Sequence, residues 1–210
     1  MGGFVPRMDQ NLSALLINCT LKPSPAESST DVLGEQVLDA LAEHGVTADR
    51  IRAVDHDIRP GVQADMGDGD KWPSLREKVL ASDILVFATP TWMGQHSSVA
   101  QRVLERLDAE LSETDDQGRP TLFDKVALAV VVGNEDGAHH IAAIVFQSLN
   151  DVGYTVPAQG SIYWNGEAMG STDYKDLPET PEKVVQTITT AAANASHLAR
   201  ALKTAAYPKV

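Results

Sequence analysis

Between Thr20 and Thr30 the chain reads TLKPSPAESST, five hydroxyl side chains and one ammonium, Lys22, in a stretch without glycine. The segment follows an apolar run, Leu12 to Cys19, and precedes a helical pattern that begins near Ser28. Hydroxyls, an ammonium and the free N–H groups of a helix start suit one compact phosphate held without a metal, because a helix N-terminus already favours an anion. The pattern is neither G-x-G-x-x-G nor a P-loop, so neither a dinucleotide pyrophosphate nor Mg-ATP is indicated. Ser28 or Ser29 could equally be an ordinary helix cap, and on residue types alone the two readings stand level.

Two further loops carry chemistry. In ATPTWMGQHSS (Ala88 to Ser98), Pro90 and Gly94 are expected to set a sharp turn that leaves Thr91, Trp92 and Met93 at a strand end. A flat apolar ligand would bury Trp92 and Met93 there; otherwise Trp92 fills a gap against a neighbouring loop or subunit. In VVGNEDGAHH (Val132 to His140), Gly133 and Gly137 would let the backbone approach a ligand closely, and Asn134 could hydrogen-bond a polar ring edge. His139 and His140 are adjacent rather than i,i+4, so they form no helical metal pair. A solvated helix start accounts for them as well.

These loops must be positioned by the elements around them. Apolar runs at Leu12–Cys19, Ile84–Thr89 and Lys125–Gly133 read as buried strands, with weaker strands at Ala48–Ile58 and Tyr154–Ile162. Helical spacing of apolar residues appears from Val32 to Leu41, Trp72 to Ser82, Ser97 to Leu111, Asp136 to Val152 and Pro181 to Leu202. The segments Arg59–Lys71, Glu113–Pro120 and Tyr163–Thr180 read as loops, and Asp65, Asp68 and Asp70 as solvated. Five strands alternating with five helices predict a parallel sheet covered on both faces by right-handed crossovers. Ligands then bind outside the carboxyl ends of the strands, where the three loops lie.

Composition narrows the function classes. A formal net charge of −12 argues against a nucleic-acid surface. One cysteine excludes an internal disulfide framework and points to a reducing, cytoplasmic setting. No apolar run approaches the length of a membrane span, and MGGFVPRMDQN lacks the core of a signal peptide. Residues 1–210 read as one domain, with 1–11 as a flexible tail. Asp55-x-Asp57 suggests a haloacid-dehalogenase-like phosphatase, but Arg59 stands where Thr or Val is required. Cys19 sits where a low-molecular-weight tyrosine phosphatase has its nucleophile, but the obligatory arginine position holds Pro25.

Taken together, the three loops resemble those of the flavodoxin-fold NAD(P)H-dependent FMN reductases, over about Ser13 to Leu202. In that family the loop after strand one is rich in Ser and Thr and carries a basic residue; here these are Thr20, Lys22, Ser28, Ser29 and Thr30. A P-x-Y/W-x-G motif follows strand three, matched by Pro90, Thr91, Trp92, Met93 and Gly94. A glycine-containing loop follows strand four, matched by Gly133, Asn134, Glu135, Asp136 and Gly137, with His139 just beyond. The family's common Gly-Ser start is replaced by Asn18-Cys19. The resemblance implies an α/β three-layer sandwich with a five-stranded parallel sheet of order 2-1-3-4-5. It also implies FMN as cofactor, NADPH or NADH as donor, a flavin, quinone or similar small molecule as acceptor, no metal, and a homodimer or homotetramer. No side chain need act as acid or base, since the flavin carries the chemistry. A flavodoxin-type electron carrier is the alternative, although its loop is usually T-x-T-G-x-T and this one has no glycine.

Overall fold

The computed structural model describes residues 11–209, so all of the expected N-terminal tail except Asn11 lies outside the described residues. The apolar run after it forms β1 (Leu12–Asn18), which pairs in parallel with β2 (Val46–Arg52) on one side and with β3 (Ile84–Trp92) on the other. Beyond β3 lie β5 (Val126–Gly133) and β6 (Ser161–Asn165), both parallel, and a two-residue β4 (Gln95–His96) folds back antiparallel on the end of β3. The order β2-β1-β3-β5-β6 is the expected 2-1-3-4-5 arrangement of five parallel strands, with β4 as an addition.

Alternate residues of each strand feed two cores. Leu12, Ala14 and Leu16 pack with α1 (Ser29–Glu43) and α5 (Glu182–Thr204). Leu15 and Ile17 pack on the opposite face with α2 (Trp72–Ala81), α3 (Ser98–Leu107) and α4 (Ala138–Asp151). The central strands are apolar on both faces because helices cover both, which is why their sequences do not alternate.

Element boundaries moved where backbone chemistry intervenes. The second strand starts at Val46 and stops at Arg52, and Ala53–Asp55 turns as a 3₁₀ helix rather than continuing to Ile58. The last strand forms at Ser161–Asn165 instead of Tyr154–Ile162: Thr155 makes only an isolated bridge to Val126 before a Pro157–Gly160 turn interrupts pairing. Pro157 has no N–H for the ladder. The third strand runs through Pro90 to Trp92, a proline in a central strand. It is tolerated because β1 pairs with β3 only as far as Ala88, so Pro90 has a ladder partner, Val132, on one side alone.

Asp70 is also not solvated as expected. Its carboxylate meets Arg106 at 2.7 Å with both side chains wholly buried. It accepts the backbone N–H groups of Arg59, Met66 and Trp72, while Arg106 donates to the Gln63 and Arg59 carbonyls. This cluster fastens the Arg59–Lys71 loop to α3.

Candidate functional site

A cleft opens at the carboxyl ends of β1, β3 and β5, the place where open parallel sheets bind ligands. Eleven of the sequence-predicted residues line it: Thr20, Lys22, Ser28, Ser29, Thr30, Pro90, Thr91, Trp92, Gly133, Asn134 and Glu135. The other five, Met93, Gly94, Asp136, Gly137 and His139, lie off the cleft, in the β3–β4 turn and at the start of α4. Leu21, Val132 and Asp173 complete the lining and were not foreseen.

The floor at the β1 end is a hydroxyl cradle. Thr20, Ser28 and Thr30 are buried, and Ser28 occupies the cap position of α1 without making a side-chain cap hydrogen bond. The N–H groups of Ser29 and Thr30, in the first turn, have no intrahelical partner in any α-helix. Thr20 Oγ1 accepts the Lys22 N–H at 3.3 Å, whereas the Ser28 and Thr30 hydroxyls and the helix start have no partner among the described residues, which separates the cradle from ordinary capping. The loop's shape comes from side chains instead of glycine: Asn18 Oδ1 accepts the Thr20 N–H at 2.9 Å, and Ser24 donates through N and Oγ to Asp55 at 2.8 and 2.5 Å. Those bonds from Ser24 hold the Asp55 carboxyl below its usual range against the opposing effect of burial. Cys19 lies beneath, buried, with its thiol pushed far up by desolvation, and so remains a neutral core group.

The second wall is a tight hairpin. Trp92 pairs with Gln95 across Met93 and Gly94, whose φ values of +53° and +71° meet the demand of a type I′ turn for two left-handed residues. Pro90 is in the strand, not the turn. Gly94 sets the turn as expected and packs on the third loop. A Cβ at Gly137 would sit 2.8 Å from the Gly94 Cα, and the Gly94 N–H donates to Glu135 Oε2 at 3.2 Å. His139 stacks edge-on against Tyr163 at 5.0 Å, on the outer side.

The third wall is shared by Asn134 and the segment after β6. Asn134 Nδ2 donates to Asp173 Oδ1 at 3.1 Å, and Met169 N–H donates to Asn134 O at 3.3 Å. The Lys175 N–H reaches Ser29 Oγ at 3.3 Å, so this strap joins the third loop to the first. Its base is pinned by buried Tyr174, which packs on Trp164 at 5.4 Å and donates to Gln36 Oε1 at 2.6 Å. Burial raises the Tyr174 pKa, keeping the phenol a donor. Asp173 carried no signal of its own, because only the fold brings it to Asn134.

FMN fits this set of donors and surfaces. Two cleft-lining residues, Thr91 and Asn134, each hold a buried oxygen, Oγ1 and Oδ1, without a hydrogen-bond partner among the described residues. Trp92 is 52% exposed at the mouth, an apolar surface of the kind a flat ring covers. Lys22 is the one cationic side chain among the described lining residues and stands at the hydroxyl end, while the carboxylates Glu135 and Asp173 stand at the other.

Comparison with known proteins agrees with this geometry. The 8-demethyl-8-aminoriboflavin-5'-phosphate synthase of Streptomyces davaonensis is 35% identical over 209 residues, covering 93% of this chain and 80% of that protein. The structure of RosB with bound 8-demethyl-8-formylriboflavin-5'-phosphate superposes with a TM-score of 0.84 at 35% identity, over 93% of this chain and 82% of that one. An apo NADH:FMN oxidoreductase, EmoB, shares the fold at a TM-score of 0.64 and 18% identity, over 94% of this chain and 92% of that one. A protein of Mycobacterium bovis named divalent metal cation transporter MntH is 45% identical over 175 residues, 81% of this chain. The match spans only 25% of that protein's length, and no helix among the described residues here is long and apolar enough to cross a membrane. The model of the family described as NADPH-dependent FMN reductase matches residues 13–168, three loops included. The chain belongs to that family of flavodoxin-fold, flavin-dependent oxidoreductases.

Proposed function

We propose that this chain holds FMN in the cleft, takes electrons from NADPH or NADH, and delivers them to a flavin, quinone or similar small acceptor. The observation that carries the reading is the pairing of an uncapped, hydroxyl-rich helix start with unpartnered Thr91 Oγ1 and Asn134 Oδ1 across one cleft. Lys22, Thr20, Ser28, Ser29 and Thr30 would hold the phosphate through charge-assisted hydrogen bonds. The Thr91 hydroxyl and the Asn134 carbonyl oxygen would bond the polar ring edge, and Leu21 and Trp92 would cover apolar ring surface. When bound, FMN supplies the hydride and electron chemistry. The protein's part is to orient and to exclude water, and no side chain of the cleft is assigned as acid or base.

Leu21 and Trp92 line the cleft at 42 and 52% exposure, and Met93, beside Trp92 in the β3–β4 turn, and Met169, whose N–H donates to Asn134 O, are exposed by 90 and 96%. Apolar groups exposed in this way suit a second copy of the chain, as a homodimer or homotetramer in which they become interior.

The experiment is anaerobic stopped-flow mixing of the FMN-loaded protein with NADPH or NADH. Bleaching of the yellow absorption within seconds, with steady turnover once a quinone is added, is the expected result. No bleaching in minutes at millimolar nicotinamide overturns the reductase reading. The 35% identity with the aminoriboflavin phosphate synthase would then favour a second reading, in which the flavin phosphate is the substrate to be modified.

A further inference from the structure

Arg52 ends β2, directly beside Asn18 in the β1–β2 ladder, and is absent from the cleft lining. Its side chain is 12% exposed, and its guanidinium reaches Asp31 and two carbonyls of the first loop. Nη2 meets Asp31 Oδ2 at 2.7 Å, and Nη1 donates to the Ala26 carbonyl at 2.8 Å and more weakly to the Lys22 carbonyl at 3.4 Å. The other Asp31 oxygen accepts Asn18 Nδ2 at 2.8 Å, and Asn18 Oδ1 in turn accepts the Thr20 N–H.

Asp31 lies in the first turn of α1, one residue past Thr30. A carboxylate there stabilises a bare helix, but it opposes any anion bound at the same terminus. An unneutralised Asp31 would work against the cradle formed by Ser28, Ser29 and Thr30. The neighbouring residues leave Arg52 as the guanidinium that pairs with it: Arg50 is engaged with Glu35 at 2.8 Å, and Asp55 with Ser24.

We propose that Arg52 is a positioning residue for the flavin phosphate, acting through Asp31 and the Asn18–Thr20 link. It cancels the carboxylate at the helix start and fixes the carbonyls of the loop, so that Lys22 and the hydroxyls face one anion. This network takes the place of the missing Gly-Ser start, with side-chain hydrogen bonds doing what a flexible backbone does elsewhere. The inference rests on the FMN reading above.

The test is a fluorescence-quenching titration of the flavin-free full chain with FMN and with riboflavin, which lacks the phosphate. The unaltered protein binds FMN more tightly. Arg52→Ala weakens FMN binding by about tenfold, as expected when a carboxylate at the helix start opposes the bound phosphate unneutralised, and riboflavin binding by less than about threefold. Raising salt from about 0.05 to about 0.5 M narrows the FMN defect, because Asp31's repulsion is screened. Adding Asp31→Asn restores most of the FMN affinity, since the amide oxygen still accepts from Asn18 while the charge is gone; Arg52→Lys restores part. Equal losses for both flavins, or no rescue by Asp31→Asn, overturns the proposal. Should Arg52→Ala fail to fold, Asp31→Asn alone decides: FMN affinity is kept or raised, and a tenfold loss overturns the assignment. A parent protein that does not distinguish FMN from riboflavin brings down the FMN reading and this proposal together. A parent that distinguishes them, with an Arg52→Ala variant that does so equally well, removes only the role of Arg52.

Discussion

The loops after β1 and β2 are held by charged and amide side chains, whereas those after β3 and β5, besides the Gly94–Glu135 and Asn134–Asp173 bonds, close on each other through glycine. In the first pair, Arg52–Asp31, Asp55–Ser24 and Arg106–Asp70 fasten the backbone from outside. In the second pair, Gly137 lies against Gly94, and a Cβ at Gly133 would come within 2.8 Å of Thr91 Cβ. The difference follows from what each loop presents to the cleft. The first loop offers hydroxyls and an ammonium, so its side chains must be free and its backbone must be held by others. The third loop offers an asparagine at the point where two loops and a strap converge, and only glycine permits that close approach.

Charge-held loops should be broken by removing one partner or by acid, and glycine-held loops by adding a methyl group. The largest effect is expected at Asp70. Asp70→Asn leaves Arg106 buried without its anion, which costs about 3–5 kcal/mol, measured as a lower urea midpoint at pH 7. The effect of pH has a definite sign. Burial alone would raise the Asp70 pKa, but hydrogen bonds from the Met66 N–H, Arg106 and the Trp72 N–H outweigh it and hold the carboxyl at about 2. An unfolded aspartate titrates near ~3.9. The stabilisation is therefore complete above that value and is lost as pH falls through about 4 towards about 2. Asp70→Asn should flatten this acid limb of the stability curve, and a variant with the same limb as the parent would show that Asp70 does not carry it.

Local pattern was enough for the parallel sheet and for the placement of the three loops, because continuous apolar strands and helical periodicity are both short-range signals. The misses have long-range causes. Whether Tyr154–Ile162 or Ser161–Asn165 forms the edge depends on which residues can reach the β5 ladder past Pro157. Asp70 reads as one acid among several in a polar loop, and only the arrival of Arg106 from α3, 36 residues away, makes it a buried anchor. In the cleft, the hydroxyl loop and Trp92 were legible from composition and motif. Asp173 was not, since its role depends on a strap that docks on Asn134. Gly94 was legible as a turn residue and Gly137 as a close-approach position, yet each approaches the other, which no single loop reveals.

That mutual contact gives the sharpest test of the glycine-held half. Gly137 has φ +129°, and its Cβ position falls 2.8 Å from both Cα and O of Gly94, so alanine there meets backbone that cannot yield as a side chain would. Backbone strain and overpacking each cost about 1–3 kcal/mol, so Gly137→Ala should lose about 2–5 kcal/mol by denaturant titration. Gly94 also has a positive φ, +71°, but the nearest atom to its Cβ position is Asp136 O at an ordinary 3.8 Å. Only the left-handed penalty applies, so Gly94→Ala should lose about 1–2 kcal/mol. The order of the two variants is the discriminating result. If Gly94→Ala proves as costly as Gly137→Ala, the turn is limited by its own conformation and the glycine contact between the loops is incidental. If Gly137→Ala is clearly worse, the contact itself sets how near the second and third walls of the cleft can stand.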